Sequence, residues 1–256
     1  MTGATLAWTA VLAEASLGVA MSGAWAVQRR TGRSGWIEAI WTFAVGAVGA
    51  TLALAVHVVG AAIWRAALVA ILTATWGFRL GLQIVARTMR AGEEARDRAR
   101  IANWGAASSP RLFALLQMQG LMGAVLATSV VLAAKAPAAH WRVQDILGAV
   151  LLVAALLGQA VADAQRARFR AEPANRKKVC DVGLWKLMGR PNDVFETLAW
   201  LAYPVFAVDP TGGYWLGWLA FAAPAVVAWA IFAGRPARGS DEPHAPVAFP
   251  RLRRPL

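Results

Sequence analysis

The apolar residues of this chain come in blocks long enough to cross a membrane, and that limits the possible folds more than any motif does. Residues 5–27, 36–56, 66–85, 112–134, 146–161, 194–208 and 214–232 are runs in which charge is rare. A transmembrane helix needs about 20 mostly apolar residues. The expectation is therefore an all-α transmembrane bundle of about seven spans. The fifth and sixth blocks are short or interrupted, so six is the alternative count. Composition agrees, with 58% hydrophobic and 16% charged residues, where a soluble domain carries roughly a quarter charged. A soluble all-helical fold is the competing reading. Residues 1–233 read as one helical domain, and residues 234–256, rich in Pro and Arg, as a loose tail.

The cationic residues assign a direction. If the first span runs inward, alternate loops and the tail collect twenty-two Lys and Arg, from Arg29 through Arg87, Arg166, Arg170, Lys186 and Arg190 to Arg254. The other side holds only Arg65, Lys135 and Arg142, and Arg79 lies inside the third span. Such asymmetry marks the cytoplasmic side. It predicts the N-terminus outside and the C-terminus in the cytoplasm. It also accounts for a pI near 11.4 without nucleic acid, since a basic face attracts anionic lipid and anionic cofactors. Trp8, Trp36, Trp64, Trp141, Trp185 and Trp215 stand near span ends, where aromatic belts form. The start of the chain has no basic n-region, so a cleaved signal peptide is not expected. One cysteine, Cys180, and scattered His57, His140 and His244 provide no metal-ligand spacing. No metal is expected.

Polar residues inside spans are costly and usually face a bundle interior. Glu14, Glu38, Arg79, Gln117, Gln119, Asp163, Asn192 and Glu196 are such residues. A structural bridge between Glu38 and Arg79 is the plain reading of that pair. The segment GLWKLMGRPNDVFETLAW, residues 183–200, is harder to treat as structural. Asn192, Glu196, Trp200 and Tyr203 recur at i, i+4, i+8 and i+11, one helical stripe. Pro191 suits a first helical position, and a free helix N-terminus attracts phosphate. Upstream, Asp163, Arg166 and Arg170 share another face, and Arg suits bidentate phosphate contacts. Two basic, helix-edged segments with a carboxylate and a carboxamide among them suit a nucleotide. Headgroup anchoring is the alternative for the basic residues.

Asp163-x-Gln165, then Gly183-Leu184-Trp185, then Arg190-Pro191-Asn192 with Glu196 four residues on, resembles the C-terminal signature of the steroid 5-alpha-reductase family. Within that superfamily the pattern is similar to the bacterial DUF1295 group, whose form is roughly G-L-W-x-x-S-R-H-P-N-Y-F-x-E. WGFRLGL at 76–82, GEEARDR at 92–98 and IEAIW at 37–41 resemble further pieces. The likeness runs from about residue 37 to 206. It implies a seven-helix bundle in a bacterial inner membrane, open to the cytoplasm and the bilayer. It implies NADPH as cofactor and reduction of an activated carbon–carbon double bond in a lipid, sterol or isoprenoid. By position it implies Gln159, Asp163, Arg170, Asn192 and Glu196 as cofactor-binding residues. Glu38 and Arg79 are the catalytic candidates, with Glu38 as the acid near a substrate carbonyl and Trp76 close by. Gly189, Arg190 and Asp193 depart from the pattern, standing where it has Arg, His and Tyr. Isoprenylcysteine and phospholipid methyltransferases have a related signature, which makes S-adenosylmethionine the alternative cofactor. A non-catalytic lipid-binding bundle is the third reading.

Overall fold

All the apolar blocks are helical in the computed structural model, which describes residues 1–56, 61–90, 108–138, 140–175 and 178–233. The helices are α1 (Gly3–Thr31), α2 (Gly35–Ala55), α3 (Ile63–Arg90), α4 (Ser108–Ala134), α5 (Val143–Ala171), α6 (Leu184–Met188), α7 (Pro191–Ala207) and α8 (Ala222–Ala233), with 3-10 turns at Pro173–Asn175 and Trp215–Phe221. Among the described residues, six helical segments are long and apolar enough to cross a membrane. The sixth predicted block is α7, which at 17 residues is shorter than these. The fifth block, predicted as 146–161, is a 29-residue helix that continues into Arg166, Arg168 and Arg170. Its apolar window ends before the helix does, because the last two turns are amphipathic.

Helix ends follow local chemistry. Thr2 caps α1 by accepting from Thr5 N at 3.2 Å, the usual role of a hydroxyl at that place. Pro191 opens α7, where its missing N–H removes nothing. Large apolar side chains remain exposed in mid-helix, among them Val19, Ile71, Phe78, Val150, Leu157 and Trp229. Such an apolar surface is far more than a soluble monomer leaves open, and it suits acyl chains.

The tightest packing is between α2 and α3. A Cβ on Gly46 would lie 3.0 Å from the Gly77 Cα, and one on Gly77 the same distance from the Gly46 Cα. Small residues let the helices approach closely. Gly77→Leu is expected to cost about 1–3 kcal/mol by overpacking, to be read as a lower melting temperature in detergent.

Contacts sort the helix termini into two ends. At one, Trp25 of α1 donates to Ser109 O of α4, Glu38 meets Arg87, and Asp163 meets Asn192. At the other, Arg65, Ala136, Asp145 and Phe206 come together. The first end holds Arg29, Arg30, Arg87, Arg166, Arg168, Arg170, Lys186 and Arg190, and the second Arg65, Lys135 and Arg142. The charge asymmetry read from sequence is thus an asymmetry of the bundle. GEEARDR (92–98) and the 234–256 tail lie outside the described residues.

The sparse end is held by buried charge that a count of loop residues did not reveal. Arg65 and Asp145 side chains are both 0% exposed and pair at 2.8 Å, with a second contact at 2.9 Å. Arg65 also donates to the carbonyls of Ala136, Ala138 and His140. Arg142 joins Asp145 at 3.0 Å and reaches the Phe206 carbonyl. Trp64 stacks on Trp141 at 4.0 Å beside them. Charge this deep is tolerated only when fully paired, and here it ties the α4–α5 connection to α3 and α7.

Candidate functional site

The polar stripe of α7 is built by the helix period and meets matching stripes on α3 and α5. Asn192, at its rim, donates from Nδ2 to Asp163 Oδ1 at 2.8 Å. Glu196, one turn deeper, accepts from Gln159 Nε2 at 2.7 Å and Trp76 Nε1 at 3.3 Å on Oε2, and from Trp200 Nε1 at 2.8 Å on Oε1. Tyr203 and Thr73 share a hydrogen bond of 2.9 Å at the bottom. Arg79 joins the layers. It donates to Gln159 Oε1 at 2.9 Å and pairs with Asp163 Oδ2 at 2.8 Å. Gln83, one turn along α3, donates to the same Asp163 oxygen at 2.9 Å.

Five of the seven candidate residues therefore stand in one network: Arg79, Gln159, Asp163, Asn192 and Glu196. All the donors around Glu196 are N–H groups, so its carboxylate acts purely as an acceptor. The network opens toward the arginine-rich end, where the Arg79 and Asp163 side chains keep 20% and 31% exposure. Asn192 leaves its Oδ1 buried and without a partner among the described residues. Arg170 lies two turns beyond Asp163 and is exposed.

Glu38 is elsewhere. Its carboxylate pairs with Arg87, not with Arg79, which corrects the expected bridge. The helix register explains why. Gly46 faces Gly77 across antiparallel helices, so residues about eight before Gly46 face those about eight beyond Gly77. That brings Glu38 to the level of Arg87 and turns Arg79 toward α5. The two catalytic candidates do not form a pair. Trp76, expected beside Glu38, instead donates to Glu196. Glu14 is partly buried on α1, and its Oε2 has no partner among the described residues.

Much of the 183–200 motif has structural work. Gly183 has φ +54, and a Cβ there would lie 2.6 Å from the Gln165 amide. Gln165 Oε1 accepts from Leu184 N at 2.9 Å, and Trp185 Nε1 donates to Ala162 O at 2.8 Å. These contacts clamp α6 to α5 and so set where α7 begins. Two of the three departures from the pattern, Arg190 and Asp193, are ion-paired with each other. Sequence reasoning missed Gln83, although its i+4 relation to Arg79 was a usable signal. It also missed that the indole N–H groups of Trp76 and Trp200 donate to Glu196.

A family model described as "Protein of unknown function (DUF1295)" matches residues 24–237. The chain belongs to the DUF1295 family. The match contains every candidate residue, from Glu38 to Glu196, and every helix after α1. Neither the curated proteins nor the solved structures yielded a match.

Proposed function

We propose that this DUF1295 protein is an integral membrane oxidoreductase that uses NADPH to reduce an activated carbon–carbon double bond in a lipid, sterol or isoprenoid. The arginine-rich end faces the cytoplasm of a bacterial inner membrane, with the N-terminus outside and α7 counted as the sixth of seven spans. The observation that carries this reading is the single network of Arg79, Gln159, Asp163, Asn192 and Glu196 at the mouth of the cationic end.

The residues fit such a cofactor in kind. Among the described residues, none of Arg166, Arg168, Arg170 and Lys186 has a carboxylate at ion-pair distance, so cationic groups are in surplus beside the network. Guanidinium groups suit phosphates. Asp163 and the open Oδ1 of Asn192 are acceptors of the kind ribose hydroxyls need. Glu196 and Gln159 lie deeper and hold the network rigid. When bound, the dinucleotide supplies the hydride. The chain's part is placement and exclusion of water, since α3, α5 and α7 close around Glu196 with Trp76 and Trp200 packed edge to face at 4.9 Å. Water exclusion strengthens polar contacts within such walls. Glu38, held by Arg87, is the acidic group available on the α2 side.

The test is a pair of titrations, NADPH and S-adenosylmethionine, followed by thermal stability in detergent. Ligand binding to the folded state stabilises by about 2.7 kcal/mol at 100 times Kd. NADPH is expected to raise the melting temperature in a concentration-dependent way, and S-adenosylmethionine is not. Asn192→Ala removes one or two hydrogen bonds, each worth about 1 kcal/mol, and is expected to weaken NADPH binding roughly tenfold. Stabilisation by S-adenosylmethionine alone would move the protein to the methyltransferase reading.

A further inference from the structure

Gln119 is a carboxamide inside the bundle with no hydrogen-bond partner among the described residues. The residue is 4% exposed, and neither its Nε2 nor its Oε1 has a partner among the described residues. It stands on the inward stripe of α4 with Leu112, Leu116 and Gly123, all buried, at spacings that share one helix face. Gln117, two positions earlier, donates instead to Ser22 of α1 at 3.3 Å. The backbone carbonyl of Gln119 accepts from Trp41 Nε1 of α2 at 3.0 Å, so Trp41 lies against it, and Glu38 is one turn earlier on that helix. Eleven residues separate Gln119 from the start of α4 at Ser108, about 16 Å of helix. Helical side chains lean toward their N-terminus, which directs this amide back toward the arginine-rich end.

A buried polar group without a partner is rare in native proteins, and inside a bilayer it cannot turn to solvent. Its two open positions are a donor and an acceptor side by side. Their complement is a hydroxyl, which accepts and donates at one oxygen. We propose that Gln119 anchors an intramembrane site for an apolar ligand bearing a hydroxyl group, a lipid alcohol, on the α2–α4 side of the bundle. The site is separate from the network on α3, α5 and α7. It deepens the redox reading by naming a polar group through which the lipid substrate is oriented, and its test does not require NADPH.

The probes are geranylgeraniol, its methyl ether and squalene, titrated against wild type and Gln119→Leu with melting temperature as readout. The alcohol donates and accepts, the ether only accepts, and the hydrocarbon does neither. Wild type is expected to bind the alcohol at least tenfold more tightly than the ether, and Gln119→Leu to bind the two alike. The ligand-free variant is expected to melt at or above the wild-type temperature, because an unpaired polar group has been removed. Equal affinity of wild type for alcohol and ether overturns the proposal without any variant. A preference that survives in Gln119→Leu, or a drop in its ligand-free melting temperature, makes the amide structural and overturns it too. Failure of wild type to bind NADPH strikes the redox reading and leaves the alcohol preference to be judged separately.

Discussion

Glu196→Ala is expected to lower the unfolding free energy by about 3–6 kcal/mol, the largest single-site effect in the bundle. The substitution removes the acceptor for Trp76, Gln159 and Trp200 together. Each buried donor left unpaired costs about 1–3 kcal/mol, and the interior closed by α3, α5 and α7 provides no water to replace the lost oxygens. Glu196→Gln tests the same point more gently. It keeps the shape and one acceptor oxygen, but places an N–H₂ against either Trp200 or the Gln159–Trp76 pair. A loss of about 1–3 kcal/mol is expected from that donor–donor conflict. Unfolding in detergent measures both. A Glu196→Ala protein as stable as wild type would mean that the three N–H groups find other partners, and that the network is not the organising feature of this end.

Arg65→Met is expected to cost about 3–5 kcal/mol, the usual penalty for breaking a buried ion pair. The guanidinium is 0% exposed and bonds Asp145 and the carbonyls of Ala136, Ala138 and His140. Its removal leaves Asp145 with Arg142 as its remaining ion-pair partner and frees three carbonyls at once. Replacing both members, Arg65→Met with Asp145→Leu, is expected to recover part of the loss, since a pair exchanged for apolar groups is cheaper than one charge left behind. NADPH affinity is expected to stay unchanged in both proteins, because this cluster lies at the end opposite Asp163 and Asn192. A large change in NADPH binding would show that the two ends are coupled, against the division drawn here.

Six of the seven expected spans were legible because length and apolarity alone decide whether a helix can cross a membrane, and those are properties of one segment. The stripe of Asn192, Glu196, Trp200 and Tyr203 was legible for a similar reason, since a helical period is local. Partners were not local. Arg79 and Arg87 are eight residues apart on α3, so either could meet Glu38 by spacing. The Gly46–Gly77 contact selects Arg87, and that register depends on how two helices dock. The same limit hid the roles of Trp76, expected beside Glu38, and of Trp200, read only as a member of the α7 stripe, until their N–H groups were placed on Glu196. Arg65 looked like a loop charge because counting charges says nothing about burial. The motif Gly183-Leu184-Trp185 was recognised as a unit, but its work as a clamp through Gln165 and Ala162 became visible only in three dimensions.

The central claim is that the junction of α5 and α7, with Arg79 of α3, grips a phosphate-bearing dinucleotide. Hydrogen exchange of the detergent-solubilised protein, with and without NADPH, tests it most directly. Backbone amides in residues 163–171 and 190–196 are expected to become protected by NADPH and to be unaffected by S-adenosylmethionine. No NADPH-dependent protection in those two segments, or protection there by S-adenosylmethionine instead, would contradict it.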